Sequence, residues 1–169
     1  RHELMGFLIV EGDTIQLEHY ASDHGPEVRW NTFSVAKSVT SMLIGAAIKD
    51  GYIDNVNETI ETYLPRMRGS EYGAITIRQA LQMSSGIRWS EGYDDPDSDV
   101  VKAALKEGIA LTDYLATLPQ LHKAGTKFNY NTAETNLLGE VLRSAIGNNA
   151  SEYLDGKIWQ AFGMEHEGN

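Results

Sequence analysis

Residues 35–51, VAKSVTSMLIGAAIKDG, constrain the fold more than any other stretch. Val35, Val39, Met42, Leu43, Ala46 and Ala47 recur at helical spacing and Gly51 supplies a C-terminal stop, so the sequence predicts a helix over about 33–50. A helix with one apolar stripe has to bury it against other elements. Ahead of it, MGFLIVEGDTIQLEHYA carries two runs of strand formers around Glu11-Gly12-Asp13, which predicts a β-hairpin over 6–20.

The rest of the chain, about 57–162, reads as short helices. ETIETYLP closes at Pro65, and Thr76 caps a helix over IRQALQM that breaks at Ser84-Ser85-Gly86. SEGYDDPDSDV is an acidic, turn-rich surface loop, and DVVKAALKEGIALTDYLATLP holds two helices separated near Gly108. From Thr132, the residues Leu137, Leu138, Val141, Leu142 and Ile146 form another apolar face ending at Gly147, and ASEYLDGKIWQAF is the last helix. No internal repeat or linker-like tract divides the 169 residues, so they are expected to form a single α+β domain.

Charge narrows the partners. Fourteen Lys and Arg against 24 Asp and Glu leave a formal net charge of −10, which works against phosphate backbones and anionic membranes. Nucleic acid is therefore set aside. Without cysteine there is no disulfide framework, no thiolate nucleophile and no Cys-based metal site, and compartment stays open between cytoplasm and periplasm. The longest apolar runs, such as MLIGAAI, fall far short of the roughly 20 residues a membrane span needs, so no membrane contact is expected from this segment. The chain begins almost inside a strand, leaving room for a leader or anchor upstream.

Ser34 and Lys37 stand three residues apart where the first helix begins, close enough to share a face. One reading is a nucleophile with its base. A lysine near its reference pKa of about 10.4 is an ammonium at neutral pH, so this reading requires burial against VTSMLIGAA and the positive end of the helix dipole to disfavour the charge. The first-turn position also leaves the Ser34 N–H without an intrahelical partner and able to face an oxyanion. The other reading is a capping serine beside a solvated lysine, and a chain of this length holds on the order of one S-x-x-K match by chance. The apolar neighbours of Lys37 lead us to expect it buried, within reach of Ser34 and near Tyr130. In GTKFNYNTAETNLLGEVL, Tyr130 stands just ahead of the second long helix, where a phenol can relay a proton or simply pack at a loop-to-helix junction.

Taken in order, these segments resemble the serine β-lactamase-like family, in the branch that contains class C β-lactamases, D-alanyl-D-alanine carboxypeptidases, carboxylesterases and 6-aminohexanoate-oligomer hydrolases. GFLIVEGDTIQLEHY is similar to the family's first hairpin, FSVAKSVTSMLIGAAIKDGYID to its S-x-x-K helix, and YLPRMRGSEYGAITIRQALQMSSGI to the segment ending in its S-G-I turn. AGTKFNYNTAETNLLGEVL and IWQAFGM look like its tyrosine box and the helix end after it. The resemblance implies the β-lactamase/transpeptidase-like fold and cleavage of a small amide or ester through an acyl-enzyme. It implies Ser34 as nucleophile, Lys37 as general base and Tyr130 as the group that passes a proton to the leaving group, with no cofactor and no metal.

Two departures shape the expectation. Where class C β-lactamases show Tyr-x-Asn, this chain has Tyr130-Asn131-Thr132, the form of the 6-aminohexanoate-hydrolase and esterase-like branch, which argues against dedicated β-lactamase activity. In that branch a tyrosine at the position of Tyr93 lies over the site, so the resemblance implies Tyr93 and Thr132 as substrate contacts, against a plain surface aromatic for Tyr93. The family's third box, Lys-Thr-Gly or His-x-Gly on a later strand with the second oxyanion N–H, has no counterpart here. HKAG at His122–Gly125 precedes Tyr130, and HEG at His166–Gly168 comes just after the FGM helix end, where no strand is expected. The expectation is therefore an N-terminal portion of the domain, whose sheet is completed by C-terminal strands or by a second chain. A non-catalytic fragment or homologue that binds acyl or peptide-like ligands is the alternative.

Other chemistries find less support. His2, His19, His24, His122 and His166 never occur at i, i+4 around a glutamate, and no G-x-S-x-G, P-loop or G-x-G-x-x-G occurs. DDPDSD lacks the glycine and terminal glutamate of an EF-hand loop. Trp30, Trp89 and Trp159 are spread too widely to define a cage and read as core or rim packing.

Overall fold

A computed structural model describes residues 4–21 and 23–166. His2 and Gly168, both named above, lie outside them. Ser34–Gly163 forms one compact unit, and the described residues before Ser34 and after Gly163 form another.

The smaller unit is built on a hairpin. Strands β1 (Gly6–Glu11) and β2 (Thr14–Tyr20) pair antiparallel, with Gly6 opposite Tyr20 and Glu11 opposite Thr14, and a bulge falls between Ile9 and Val10. Gly12 takes φ +58° in the two-residue turn, a left-handed value that favours glycine. Among the described residues the sheet has these two strands alone. Phe7, Leu8, Ile9, Val10, Ile15 and Leu17 are 42–57% exposed, so both faces carry uncovered apolar side chains.

The larger unit is helical. A 3₁₀ turn over Phe33–Val35 runs into α1 (Ala36–Lys49), so the expected helix has a tighter first turn. α2 (Ile60–Tyr63) ends at Leu64 before Pro65, where the missing N–H and ring of proline stop a helix. The short α3 (Glu71–Ala74) escaped the sequence reading; Ser70 caps it by accepting from the Gly73 amide at 3.0 Å. α4 (Ile77–Leu81) starts with a reciprocal capping box, Thr76 Oγ1 accepting from the Gln79 amide at 3.2 Å and Gln79 Oε1 from the Thr76 amide at 2.9 Å. α5 (Asp99–Ala104) and α6 (Gly108–Leu115) divide just before Gly108. α7 (Thr132–Ile146) ends on Gly147 at φ +83°, where the Asn148 amide returns to the Arg143 carbonyl at 2.7 Å. α8 (Ala150–Leu154) continues as a π-helical turn over Asp155–Trp159.

The core of this unit lies where α1 meets α7. Leu43, Ile44 and Ala47 of α1 and Ala133, Leu137, Leu138, Val141 and Leu142 of α7 are buried, with α2 and α4 also packed on α7. Sustained i, i+3, i+4, i+7 spacing on both helices produces this, because each stripe hides its apolar surface against the other. No described helix is long and apolar enough to cross a membrane.

Candidate active site

Lys37 is the hub of the site. α1 places its Nζ 3.0 Å from Ser34 Oγ and 5.3 Å from the centre of the Tyr130 ring, so the S-x-x-K pair and Tyr130, two separate sequence signals, meet around one amine. The expected burial of Lys37 is corrected: it is half-buried and Ser34 is exposed. The apolar residues beside it in sequence explain this, because Val35 and Met42 are themselves exposed while Leu43, Ile44 and Ala47 take the buried side of α1. Tyr130 is 37% exposed, its phenol set at the mouth of α7 with Asn131 as N-cap.

Tyr93 and Thr132 come together, and a residue the sequence reading missed joins them. The Glu91 carboxylate accepts hydrogen bonds from Trp89 Nε1, from the Thr132 hydroxyl, from the Tyr93 hydroxyl at 2.6 Å and from the Thr132 amide at 3.1 Å. Burial alone would raise its pKa, but donation from Thr132, Tyr93 and Trp89 outweighs this and holds it below the usual glutamate range. The same bond to Glu91 raises the Tyr93 phenol above the ordinary tyrosine value. Tyr93 is 63% exposed, with its oxygen 3.5 Å from Thr132 Oγ1. Nothing in the spacing of residues 91 and 132 announces this clamp.

The loop carrying Tyr93 is anchored from behind by Asp99, which is 2% exposed. Asp99 receives Arg88 on both oxygens at 3.1 Å, the Ser90 amide at 2.9 Å, the Ser90 hydroxyl at 3.0 Å and the Tyr114 hydroxyl at 2.8 Å. Burial opposes its charge, yet the Tyr114 and Ser90 donors and the Arg88 guanidinium keep its carboxyl below the ordinary aspartate range.

A second missed group lies four residues beyond Tyr130. Glu134, in the first turn of α7, is buried; Ser85 donates its hydroxyl to Oε1 and Asn131 Nδ2 approaches the same oxygen at 3.2 Å. Asn131 Nδ2 also meets the buried Tyr72 hydroxyl at 2.8 Å, and Asn131 Oδ1 accepts from the Ala133 amide at 3.0 Å. A signal for Glu134 did exist: positions 134, 137, 138 and 141 fall on one helical stripe, which puts a carboxyl on the buried face. Behind it the Ser84-Ser85-Gly86 turn grips the loop leading to Tyr130, through Gly125 N to Ser84 O at 2.7 Å, His122 N to Gly86 O at 3.0 Å and Asn129 N to Met83 O at 2.9 Å.

Comparison with known proteins bears on the family and the fold. The family model described as Beta-lactamase matches residues 4–168. The chain belongs to the beta-lactamase family. It is 29% identical over 162 residues to the 6-aminohexanoate-dimer hydrolase of Paenarthrobacter ureafaciens, covering 90% of this chain and 41% of that protein. It is 23% identical over 144 residues to Protein flp of Staphylococcus aureus (strain NCTC 8325 / PS 47), covering 83% of this chain and 28% of that one. Among solved structures, a Bacillus anthracis protein provisionally named a 6-aminohexanoate-dimer hydrolase superposes with a TM-score of 0.76 at 21% identity, over 92% of this chain and 43% of that one. A D-alanine carboxypeptidase from Burkholderia cenocepacia gives 0.60 at 23%, over 79% and 33%. This beta-lactamase-family chain thus spans less than half the length of the relatives it matches, and the structural likenesses speak for the fold.

Proposed function

We propose that this beta-lactamase-family chain carries the acyl-accepting half of a serine hydrolase that cleaves a small amide or ester through an acyl-enzyme on Ser34. The observation that carries the reading is the 3.0 Å contact between Lys37 Nζ and Ser34 Oγ, with the Tyr130 ring 5.3 Å from the same amine. In the proposed step Lys37 Nζ takes the Ser34 proton while Oγ bonds to the substrate carbonyl carbon, giving a tetrahedral oxyanion. The Ser34 backbone N–H at the head of α1 supplies one donor for that oxygen. When the carbonyl re-forms, the bond to the leaving group breaks, and the proton held by Lys37 reaches the departing nitrogen or oxygen through the Tyr130 hydroxyl. Water then attacks the Ser34 ester along the same proton route in reverse and releases the acid.

Tyr93 and Thr132, tied to one carboxylate, are the proposed substrate contacts. A small amide is favoured because the Paenarthrobacter ureafaciens relative is a 6-aminohexanoate-dimer hydrolase. The remaining strands of the sheet, and any second oxyanion donor, would come from a further part of the protein or a second chain.

The test is intact-mass spectrometry after exposure to p-nitrophenyl acetate or a fluorophosphonate, with peptide mapping of the adduct. A complete protein containing this segment is expected to label at Ser34, and its Ser34→Ala variant to lose labelling outright, with weak or no turnover from the 169-residue chain alone. Lys37→Ala should label far more slowly at neutral pH. Tyr130→Phe should slow amide turnover more than that of activated esters, whose leaving groups need less protonation. Labelling elsewhere, or undiminished labelling of Ser34→Ala, overturns the proposal in favour of a non-catalytic, ligand-binding homologue.

A further inference from the structure

Glu134 is a buried ionisable group for which the proposed chemistry has no use. It is 1% exposed, and its two oxygens have unequal surroundings. Oε1 receives the Ser85 hydroxyl and Asn131 Nδ2, whereas Oε2 is buried with no hydrogen-bond partner. Tyr72 of α3 is the titratable group that faces it, joined through Asn131, and Asp99 at the start of α5 acts on the same phenol. Among the described residues no lysine, arginine or histidine pairs with it. A carboxylate here would leave half its charge on an oxygen without a donor, in the core.

The bonds around Glu134 connect two pieces of chain. Ser85 also accepts from the Ile87 amide at 3.2 Å, so the hydroxyl that reaches Glu134 is built into the turn holding the 120–129 loop. Asn131 is the N-cap of α7 and the neighbour of Tyr130. One carboxyl therefore bridges the turn behind the loop and the cap beside the phenol.

We propose that Glu134 is a positioning residue and a proton-dependent latch: as the neutral acid it fastens the Ser85 turn to the head of α7, and on losing its proton it releases that junction and the placement of Tyr130. Burial raises its pKa to about 7 against the pull of Ser85, which sets the release near neutrality. The consequence for catalysis rests on the reading of Tyr130 given above; the latch itself does not.

Hydrogen exchange with mass spectrometry on peptides covering 128–136, corrected for intrinsic exchange rates, tests the latch from pH 5.5 to 8. In wild type, protection should fall on the order of tenfold across this range, because opening lets the carboxyl ionise at its ordinary value. Glu134→Gln should remove the step. Ser85→Ala should move it to higher pH, since the hydroxyl it deletes stabilises the carboxylate, and together with wild type this decides the matter if Glu134→Gln fails to fold. A flat profile in wild type, or an unchanged step in Glu134→Gln, overturns the latch. Fluorophosphonate labelling of Ser34 on the same samples separates the two proposals. Labelling with no exchange step overturns the latch and leaves the hydrolase reading standing, while a Glu134-dependent step with no labelling overturns the hydrolase reading alone.

Discussion

At the residue scale, two buried carboxyls, Asp99 and Glu134, pull stability in opposite directions with pH. Glu134 has its folded pKa raised to about 7 from 4.5, so the folded state binds its proton more tightly. Its contribution is full below about 4.5 and is lost as pH rises through about 7, on the order of 3 kcal/mol in all. Asp99 is held below its ordinary value, so its contribution is present above that value and is lost as pH falls through the folded one. Thermal midpoints should therefore peak in mildly acidic solution; in Glu134→Gln the decline towards pH 8 should flatten while the acid side is unchanged. Gly86 offers a sharper steric test. It sits at φ +75°, and an added Cβ would lie 2.0 Å from the His122 carbonyl oxygen, so Gly86→Ala should cost roughly 2–4 kcal/mol in denaturant unfolding.

At the scale of elements, the short helices depend on their caps. α4 begins on the Thr76 and Gln79 capping box, and Thr76→Ala should cost about 1 kcal/mol by chemical denaturation, with little change in Ser34 labelling. The 90–98 loop depends on Asp99. Asp99→Ala strands the donors of Ser90, Tyr114 and Arg88, four hydrogen-bonding groups around one lost carboxylate, and should cost on the order of 3 kcal/mol while raising proteolytic cleavage between Gly92 and Ser98. Substituting the exposed neighbour Asp97 should do neither, since its tie to Lys102 is a 3.6 Å pair with the Asp97 side chain 91% exposed.

At the scale of the whole molecule, the two compact units should differ in stability. The larger buries a continuous cluster from Leu43 to Ile158, whereas the hairpin exposes Phe7, Leu8, Ile9, Val10, Ile15 and Leu17. An isolated two-stranded ribbon is marginal in water, and its uncovered edges template further pairing. Hairpin amides over 6–20 should therefore exchange far faster than those of α7 in the 169-residue chain. Its sedimentation should show concentration-dependent association that replacing Leu8 and Val10 with lysine reduces. Slow hairpin exchange in a strictly monomeric sample would contradict both expectations.

The apolar stripes of α1 and α7, the Gly12 turn, the Gly147 stop and the Thr76 cap were all legible because each is a local rule, a period or a backbone preference carried by a few consecutive residues. The S-x-x-K spacing likewise placed Ser34 and Lys37 on one face, since three residues along a helix fix their separation. Other features were decided only in three dimensions. Glu91 meets Thr132 across 41 positions, Ser85 meets Glu134 across 49, and Asn131 meets Tyr72 across 59. No periodicity encodes such pairings; they exist because packed helices leave buried polar atoms that must find partners wherever the fold brings one near. The exposure of Lys37 was settled in the same way, because neighbouring letters describe what lies beside a side chain along the helix and tertiary packing determines what lies over it.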